Sequence, residues 1–297
     1  MIPAAFDYLK PATVEDAVAA LADAGEEAKV LAGGHSLLPV LRLRLAEPSL
    51  LVDLGGLPQL RGIRQEGDTL VIGAMTTHAE VATDPLVGES AALLRQAAAS
   101  VGDRQVRHRG TIGGSLAHAD PAGDLPTVVV ALDADLVVVG PSGTRTVPAA
   151  EFFVDYFTTA LRPDELLVEV RVPRLPGWGA CYAKVSRTAQ AWATVAVAAA
   201  VRRGNGTIAE ARVALTNMGP TPVRARAVEQ AVAGSGPDGL AAAAQQAREG
   251  TSPPTDTTAS AEYRGHLATV LTRRALVAAA GMEPSGSGVP SPRPGAG

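Results

Sequence analysis

Apolar positions along the chain recur first at helical and then at strand spacing, which predicts a series of short elements. Residues 13–24, TVEDAVAALADA, predict a helix with Thr13 as N-cap and Asp16 as its capping partner. A turn at Glu26–Glu27 leads into the short strand KVLA, 29–32. The leucines of GGHSLLPVLRLRL suit a second short helix, and LLVD at 50–53 a buried strand, giving a small α/β unit over 1–56. The texture changes at Leu57. A strand and a helix start fall within 68–81, and 85–101 predicts one helix anchored by Leu86, Leu93, Leu94 and Val101. Two apolar runs with a Ser-Gly hairpin signal follow, then the alternating strand LLVEVRVP at 166–173, which closes a second unit at 57–176.

PGWG at 176–179 marks a boundary. Beyond it the alanines blur the period, so 179–203 reads as a strand, a turn and then more strand or helix. Residues 207–219 are strand-like, 223–233 and 238–248 suit helices, 249–260 form a polar loop, and 261–281 is the strongest helix of the chain. This third unit covers 177–282, and the Gly- and Pro-rich stretch 283–297 has the composition of a disordered tail. No internal repeat is apparent.

Composition narrows the classes. The 297 residues are 46% hydrophobic but only 3% aromatic, so the core must be filled mainly by Ala, Val and Leu. Lys and Arg number 26 against 30 Asp and Glu, and that acidic balance gives no broad nucleic-acid footprint. Cys181 is the single cysteine, which excludes an intrachain disulfide and an iron–sulfur cluster held by this chain alone. The five histidines, at 35, 78, 108, 118 and 266, show no zinc-ligand spacing. The N-terminus does not read as a signal peptide, and the Ala-rich run at 189–201 is too short for a membrane span. Cytoplasm is the default expectation.

Two glycine segments carry the chemistry. In the first, AKVLAGGHS at 28–36, a strand runs into Gly33 and Gly34 and then a helix. Backbone amides gathered in this way form a nest for phosphate oxygens. There is no G-x-G-x-x-G and no lysine after the glycines, so neither a dinucleotide fingerprint nor a P-loop is present. Ser36 is placed to cap the helix or to donate to an oxygen. Alone, such a Gly-Gly turn is more often structural. The second segment, RHRGTIGGSLAHADPAGDLP at 107–126, reads as a long ordered loop holding polar groups. Two nests suit a diphosphate. Asp124 suits a sugar hydroxyl or ring N–H, or caps the element beginning at Leu125. Asp120 suits a cap of its own turn, His118 a structural hydrogen bond, and Arg107 and Arg109 either solvent or the diphosphate.

Together the two segments resemble the FAD-binding medium subunit of the molybdenum hydroxylases, and most of all the aerobic carbon monoxide dehydrogenase type. FDYLKPATVEDAV, LAGGHSLLPVLRLRLAEPSLLVDL, IGAMTTHAEV, VGDRQVRHRGTIGGSLAHADPAGDLP and NMGPTPVRARAVE carry the likeness, over about residues 3–280. It implies an α+β fold. An FAD-binding domain of the vanillyl-alcohol-oxidase-like type, in two α/β subdomains, would precede a C-terminal domain of antiparallel sheet and helices. It implies that Ala32, Gly33, Gly34, His35 and Ser36 form one pyrophosphate loop and Thr111, Ile112, Gly113, Gly114 and Ser115 the other. Val101 would lie near FAD, Asp124 would bind its polar part, Leu167 would pack on it, and Lys184 would approach from the C-terminal domain.

The resemblance also implies partners. A large molybdenum–pterin subunit and a small [2Fe–2S] subunit would assemble with this chain as a dimer of heterotrimers. Electrons would leave FAD for a quinone, NAD or another acceptor. Peripheral contact with the inner face of the membrane would come through the complex. One departure stands out: where relatives often carry R-R-x-x-D-[FY]-A, this chain has Arg187, Thr188, Ala191 and Trp192. No Ser/His/Asp or Cys/His arrangement, and so no catalytic residue, is defensible from spacing. The competing readings are a stand-alone flavin oxidoreductase, a flavin-free structural subunit, and an α/β domain whose glycines only make turns.

Overall fold

The computed structural model describes residues 2–282, so the expected tail at 283–297 lies outside the described residues. The first unit contains β1 (Asp7–Leu9), α1 (Val14–Ala24), β2 (Ala28–Leu31), α2 (Leu37–Arg42) and β3 (Leu50–Asp53). β3 is central, with β1 and β2 parallel on either side. The expected cap forms: Thr13 Oγ1 accepts from the Asp16 amide at 3.0 Å, and the Asp16 carboxylate accepts from the Thr13 amide at 3.1 Å. Val14, Ala17, Val18 and Leu21 of α1 then face a core shared with Val52 and Leu54. Covering one side of the sheet this way leaves the β2–α2 turn free at its end.

The second unit runs through β4 (Ile63–Glu66), β5 (Thr69–Gly73), α3 (His78–Thr83), α4 (Pro85–Ser90), α5 (Ala92–Ser100), α6 (Arg104–Arg109), α7 (Ile112–His118), α8 (Asp124–Ala131), β6 (Asp135–Gly140), β7 (Gly143–Pro148), α9 (Ala149–Phe152), β8 (Phe153–Asp155), β9 (Thr158–Thr159) and β10 (Leu166–Pro173). Its main sheet is antiparallel in the order β4-β5-β10-β6-β7. β10 is central and its proline is terminal, where the missing N–H costs the ladder least.

Two expectations change here. The single helix over 85–101 is two helices, parted at Ala91 with φ −147° and ψ 60°. The Asp84 carboxylate caps the first through the Leu86 and Val87 amides, and the break turns Leu93 and Leu94 into the same core as Val87. The long loop expected over 107–126 is a train of short helices instead. Asp103 Oδ1 caps α6 through the Val106 amide at 2.9 Å, and Thr111 Oγ1 caps α7 through the Gly114 amide at 3.1 Å. The glycines sit at helix junctions and within α7's first turn, where they hide the helical period.

The third unit contains β11 (Gly179–Val185), β12 (Val195–Gly204), β13 (Thr207–Thr216), β14 (Val223–Arg224), α10 (Arg226–Val232), α11 (Leu240–Ala244) and α12 (Ala261–Ala280). The strands form one antiparallel sheet in chain order. The alanine-rich stretch is therefore strand, and it has two faces. Val195, Val197, Ala199 and Val201 pack with the helices, while Ala198 and Ala200 pack on the core of the second unit. These small side chains let α8 lie close to the sheet.

α8 is buried along its whole length and is held along that length by the third unit. Near its start Asp124 meets Lys184. In its middle Thr216 Oγ1 donates to Thr127 Oγ1 at 2.8 Å. At its end Arg224 donates to the Val130 carbonyl at 2.9 Å and Arg212 to the Leu132 carbonyl at 3.0 Å. Helix C-termini leave carbonyls such as that of Leu132 without intrahelical partners; Arg212 satisfies it, Arg224 adds to the Asp133 amide on Val130, and both fix the interface.

Candidate functional site

The first glycine segment follows β2 directly. The Leu38 amide donates to the Gly34 carbonyl at 2.9 Å and closes the turn into α2. Among the described residues, the amides of Gly33, Gly34, His35 and Ser36 find no hydrogen-bond partner. The Ser36 side chain makes no capping bond, so of its two expected roles only the second stays available. Four successive free donors on a partly exposed turn, beside an exposed His35, leave amides available to an anionic group.

The second segment lies against the first. A Cβ added at Gly33 would sit 2.8 Å from Gly110 Cα and closer still to the Arg109 carbonyl oxygen. A Cβ on Gly114 would sit 3.4 Å from Ala32 Cβ. Gly33 therefore serves the contact between the two loops rather than the open approach to a ligand. The second segment is also no open nest. The Ile112 amide donates to the Thr76 carbonyl at 2.9 Å, Gly113 to Ala74 at 2.8 Å, Gly114 to Thr111 Oγ1, and Ser115 to the Thr111 carbonyl at 3.0 Å. It contributes the half-buried Gly114 and the hydroxyls of Thr111 and Ser115, with Thr111 already serving as the cap.

Leu167 belongs to the same neighbourhood through the backbone. One step beyond the Glu169–Gly73 pairing of β10 with β5, the Val168 carbonyl accepts from the Ala74 amide at 2.9 Å; the Ala74 carbonyl in turn accepts from Gly113. The Leu167 side chain itself is 5% exposed within the second unit's core. Val101 ends α5, and its carbonyl accepts from the Arg107 guanidinium at 2.9 Å. That bond commits Arg107 to its own turn, while Arg109 is exposed.

Asp124 and Lys184 meet across the boundary. Lys184 Nζ donates to Asp124 Oδ2 at 2.9 Å, and the Tyr182 hydroxyl donates to Asp124 Oδ1 at 2.6 Å. Burial pushes the Asp124 carboxyl above the usual carboxylate range, and Lys184 opposes the shift. Asp124 is the first residue of α8 and makes no side-chain cap. Asp120 does cap its own turn, accepting from the Ala122 amide at 2.8 Å. His118 packs on Phe157, with ring centroids 5.2 Å apart.

Three residues at this site carried no expectation. Tyr182 is one; its two-residue spacing from Lys184 on a strand was the available signal. Asn217, with φ 61°, donates from its amide to the Pro121 carbonyl at 2.9 Å and from Nδ2 to the Ala193 carbonyl at 2.8 Å. It ties the second glycine segment to the loop holding Thr188 and Ala191. His78 is buried beneath Gly110, with Nδ1 unpartnered, and burial pushes its pKa down to about 4. In the 186–193 loop, Gln190 donates to Asp103 Oδ2 at 3.0 Å and Trp192 is 53% exposed. A cleft between α11 and α12, lined by Gln245, Arg273 and Arg274, lies on the other side of the third sheet from Lys184.

A run of free backbone amides, a glycine turn packed against it and a buried ion pair between the second and third units are features of the cofactor-binding class, and the comparisons say which. A family described as the FAD binding domain in molybdopterin dehydrogenase matches residues 4–175, and the CO dehydrogenase flavoprotein C-terminal domain matches 180–279. The carbon monoxide dehydrogenase medium chain of Hydrogenophaga pseudoflava is 43% identical over 282 residues, 94% of this chain and 98% of its own. The 6-hydroxypseudooxynicotine dehydrogenase complex subunit alpha of Paenarthrobacter nicotinovorans is 40% identical over 283 residues, 94% of this chain and 96% of its own. Among solved structures, carbon monoxide dehydrogenase from Hydrogenophaga pseudoflava superposes with a TM-score of 0.92 at 44% identity, covering 95% of this chain and 99% of that one. Quinoline 2-oxidoreductase from Pseudomonas putida 86 gives 0.90 at 36% identity, covering 95% and 99%. The chain belongs to the FAD-binding medium-subunit family of the molybdenum hydroxylases, and FAD is its cofactor.

Proposed function

We propose that this chain is the electron-transfer subunit of a heteromeric molybdenum hydroxylase of the carbon monoxide dehydrogenase type. It would take electrons from [2Fe–2S] clusters of a small subunit, which receives them from a large molybdenum–pterin subunit, and pass them to an external acceptor. The observation that carries this reading is the free amide run of Gly33–Ser36 set against the second glycine segment, in a chain whose single cysteine supplies no cluster. Bound FAD supplies a redox centre able to exchange electrons singly or in pairs.

The chain's own residues bind and orient. Ala32–Ser36 present the amides to the diphosphate, and Thr111–Ser115 give the second wall, with Gly114 and the Ser115 hydroxyl on its half-buried side. Val101 and Leu167 border the cofactor from α5 and β10, and Asp124 and Lys184 place one negative and one positive charge against its polar part. The working division is 1–56 and 57–176 for the FAD-binding subdomains and 177–282 for the C-terminal domain. Among the described residues no helix is long and apolar enough to cross a membrane, and we place the complex in the cytoplasm. The substrate is set by the molybdenum subunit, and the acceptor that takes electrons from FAD is a quinone, NAD or another.

Co-expression with candidate large- and small-subunit genes from the same source tests the reading. We expect the three chains to co-purify with FAD released on denaturation. A flavin-free complex, or an isolated chain that oxidises a small substrate unaided, would overturn it.

A further inference from the structure

Tyr182 and Lys184 lie two residues apart on β11, so both side chains leave the same face of the strand. Each takes one oxygen of a single carboxylate: Tyr182 donates to Asp124 Oδ1 at 2.6 Å and Lys184 to Asp124 Oδ2 at 2.9 Å. Tyr182 is itself held from outside its own sheet. Its amide donates to Gln96 Oε1 of α5 at 2.9 Å, and Gln96 Nε2 donates back to the Ala180 carbonyl at 3.1 Å. Its ring packs against the core of the second unit, and Thr216 of β13 faces its hydroxyl.

We propose that Tyr182 is a positioning residue of the flavin site: by holding Asp124 Oδ1 it fixes Asp124 Oδ2, and through it the Lys184 ammonium, in one place beside the cofactor. This rests on the reading that Asp124 and Lys184 line bound FAD. The need for such a holder is physical. A lysine ammonium is a point charge on a flexible four-carbon stem with three rotatable donors, and it does not fix its own direction. A carboxylate has two equivalent oxygens and turns freely unless both are engaged. With both engaged, the pair has one geometry.

The charge state follows from the same contacts. Burial and the nearby Asp120 favour a proton on Asp124; Lys184 and the Tyr182 hydroxyl oppose it. No other charged group perturbs Asp124 in the same measure. Removing the phenol oxygen takes away one of the two donors that keep the carboxylate ionised. Asp124 then gains its proton at higher pH, and the Lys184 charge beside the flavin loses its counter-charge there. An uncompensated positive charge favours electron uptake, so the flavin potential rises over that pH range.

Potentiometric titration of the FAD bound to the assembled complex, across a pH series, tests this in the native protein, Tyr182→Phe and Asp124→Asn. We expect Tyr182→Phe to keep its FAD and to move the inflection of potential against pH upward by about one unit or more, the weight of a hydrogen bond to a charged group. Asp124→Asn is expected to abolish the inflection. A Tyr182→Phe curve that superposes on the native one, while Asp124→Asn does not, overturns the proposal and leaves the site reading standing. If Asp124→Asn also superposes, Asp124 is not beside the flavin and both fall. Should Tyr182→Phe lose its FAD, 3-fluorotyrosine at 182, a stronger donor of nearly the same size, is expected to move the inflection downward. No movement there overturns the proposal too.

Discussion

Asp124 and Lys184 stand 2.9 Å apart while belonging to different units, one at the head of a fully buried helix and the other on the edge strand of the third sheet. Their side chains are 3% and 11% exposed, so each is the other's main compensation. Breaking such a pair from one side leaves a buried charge and costs about 3–5 kcal/mol, whereas replacing both with apolar groups costs much less. We therefore expect Asp124→Leu and Lys184→Met each to lower the urea midpoint strongly. The double variant should lose clearly less than the sum. Additive losses would show that the two charges act independently.

Gly33 is where the two signatures touch. A side chain there meets backbone, which cannot rotate away, so the loops must separate. Gly33→Val is expected to reduce the FAD-to-protein ratio sharply and to destabilise the fold by about 1–3 kcal/mol, the range for overpacking. Gly236→Ala, where nothing lies within 4 Å, is the control and should change neither. Absorbance of the purified proteins reads the FAD ratio, and the urea midpoint reads the stability.

His78 gives the site an acid limit. Its folded pKa of about 4 lies below the ordinary imidazole value of 6.5, so the stability it protects is fully present above 6.5 and lost as pH falls towards 4. The shift corresponds to about 3 kcal/mol. Because the imidazole sits under Gly110, we expect FAD to be released over that same window. His78→Gln, which carries no titrating group, should flatten the profile of FAD retention against pH. An unchanged profile in that variant would remove His78 from the account.

Asn217 holds the Ala193 carbonyl and the Pro121 carbonyl together. Asn217→Gly keeps the left-handed backbone and removes only the side-chain donors. We expect the loop at 186–193 to loosen, read as faster trypsin cleavage after the exposed Arg187, while FAD content falls little. Cleavage at the native rate would show that the loop is held elsewhere.

Local signals were legible in advance. The Thr13–Asp16 box, LLVD, LLVEVRVP and the helix beginning after Ser260 follow from nearest-neighbour rules, and the structure carries them within a residue or so. What escaped depends on distance along the chain or on alanine. The Asp124–Lys184 and Tyr182–Asp124 contacts span 60 and 58 residues, and no spacing rule reaches that far. Tyr182 was hidden further by the alanines around it, which fit a strand or a helix equally well. Gly110 and Gly113 read as loop because their role is to let short helices pack on His78 and Ala74. That a signature looks like a nest did not reveal that only the first one keeps its amides free.

The most direct measurement is anaerobic stopped-flow absorbance of the assembled complex, mixed separately with CO, a purine, an aldehyde and an N-heterocycle. The account predicts that one of them bleaches the flavin band along with the iron–sulfur bands, with one FAD per copy of this chain, and that an added quinone or NAD restores the flavin. A complex that turns substrate over while its flavin stays oxidised, or that contains no FAD, would contradict it.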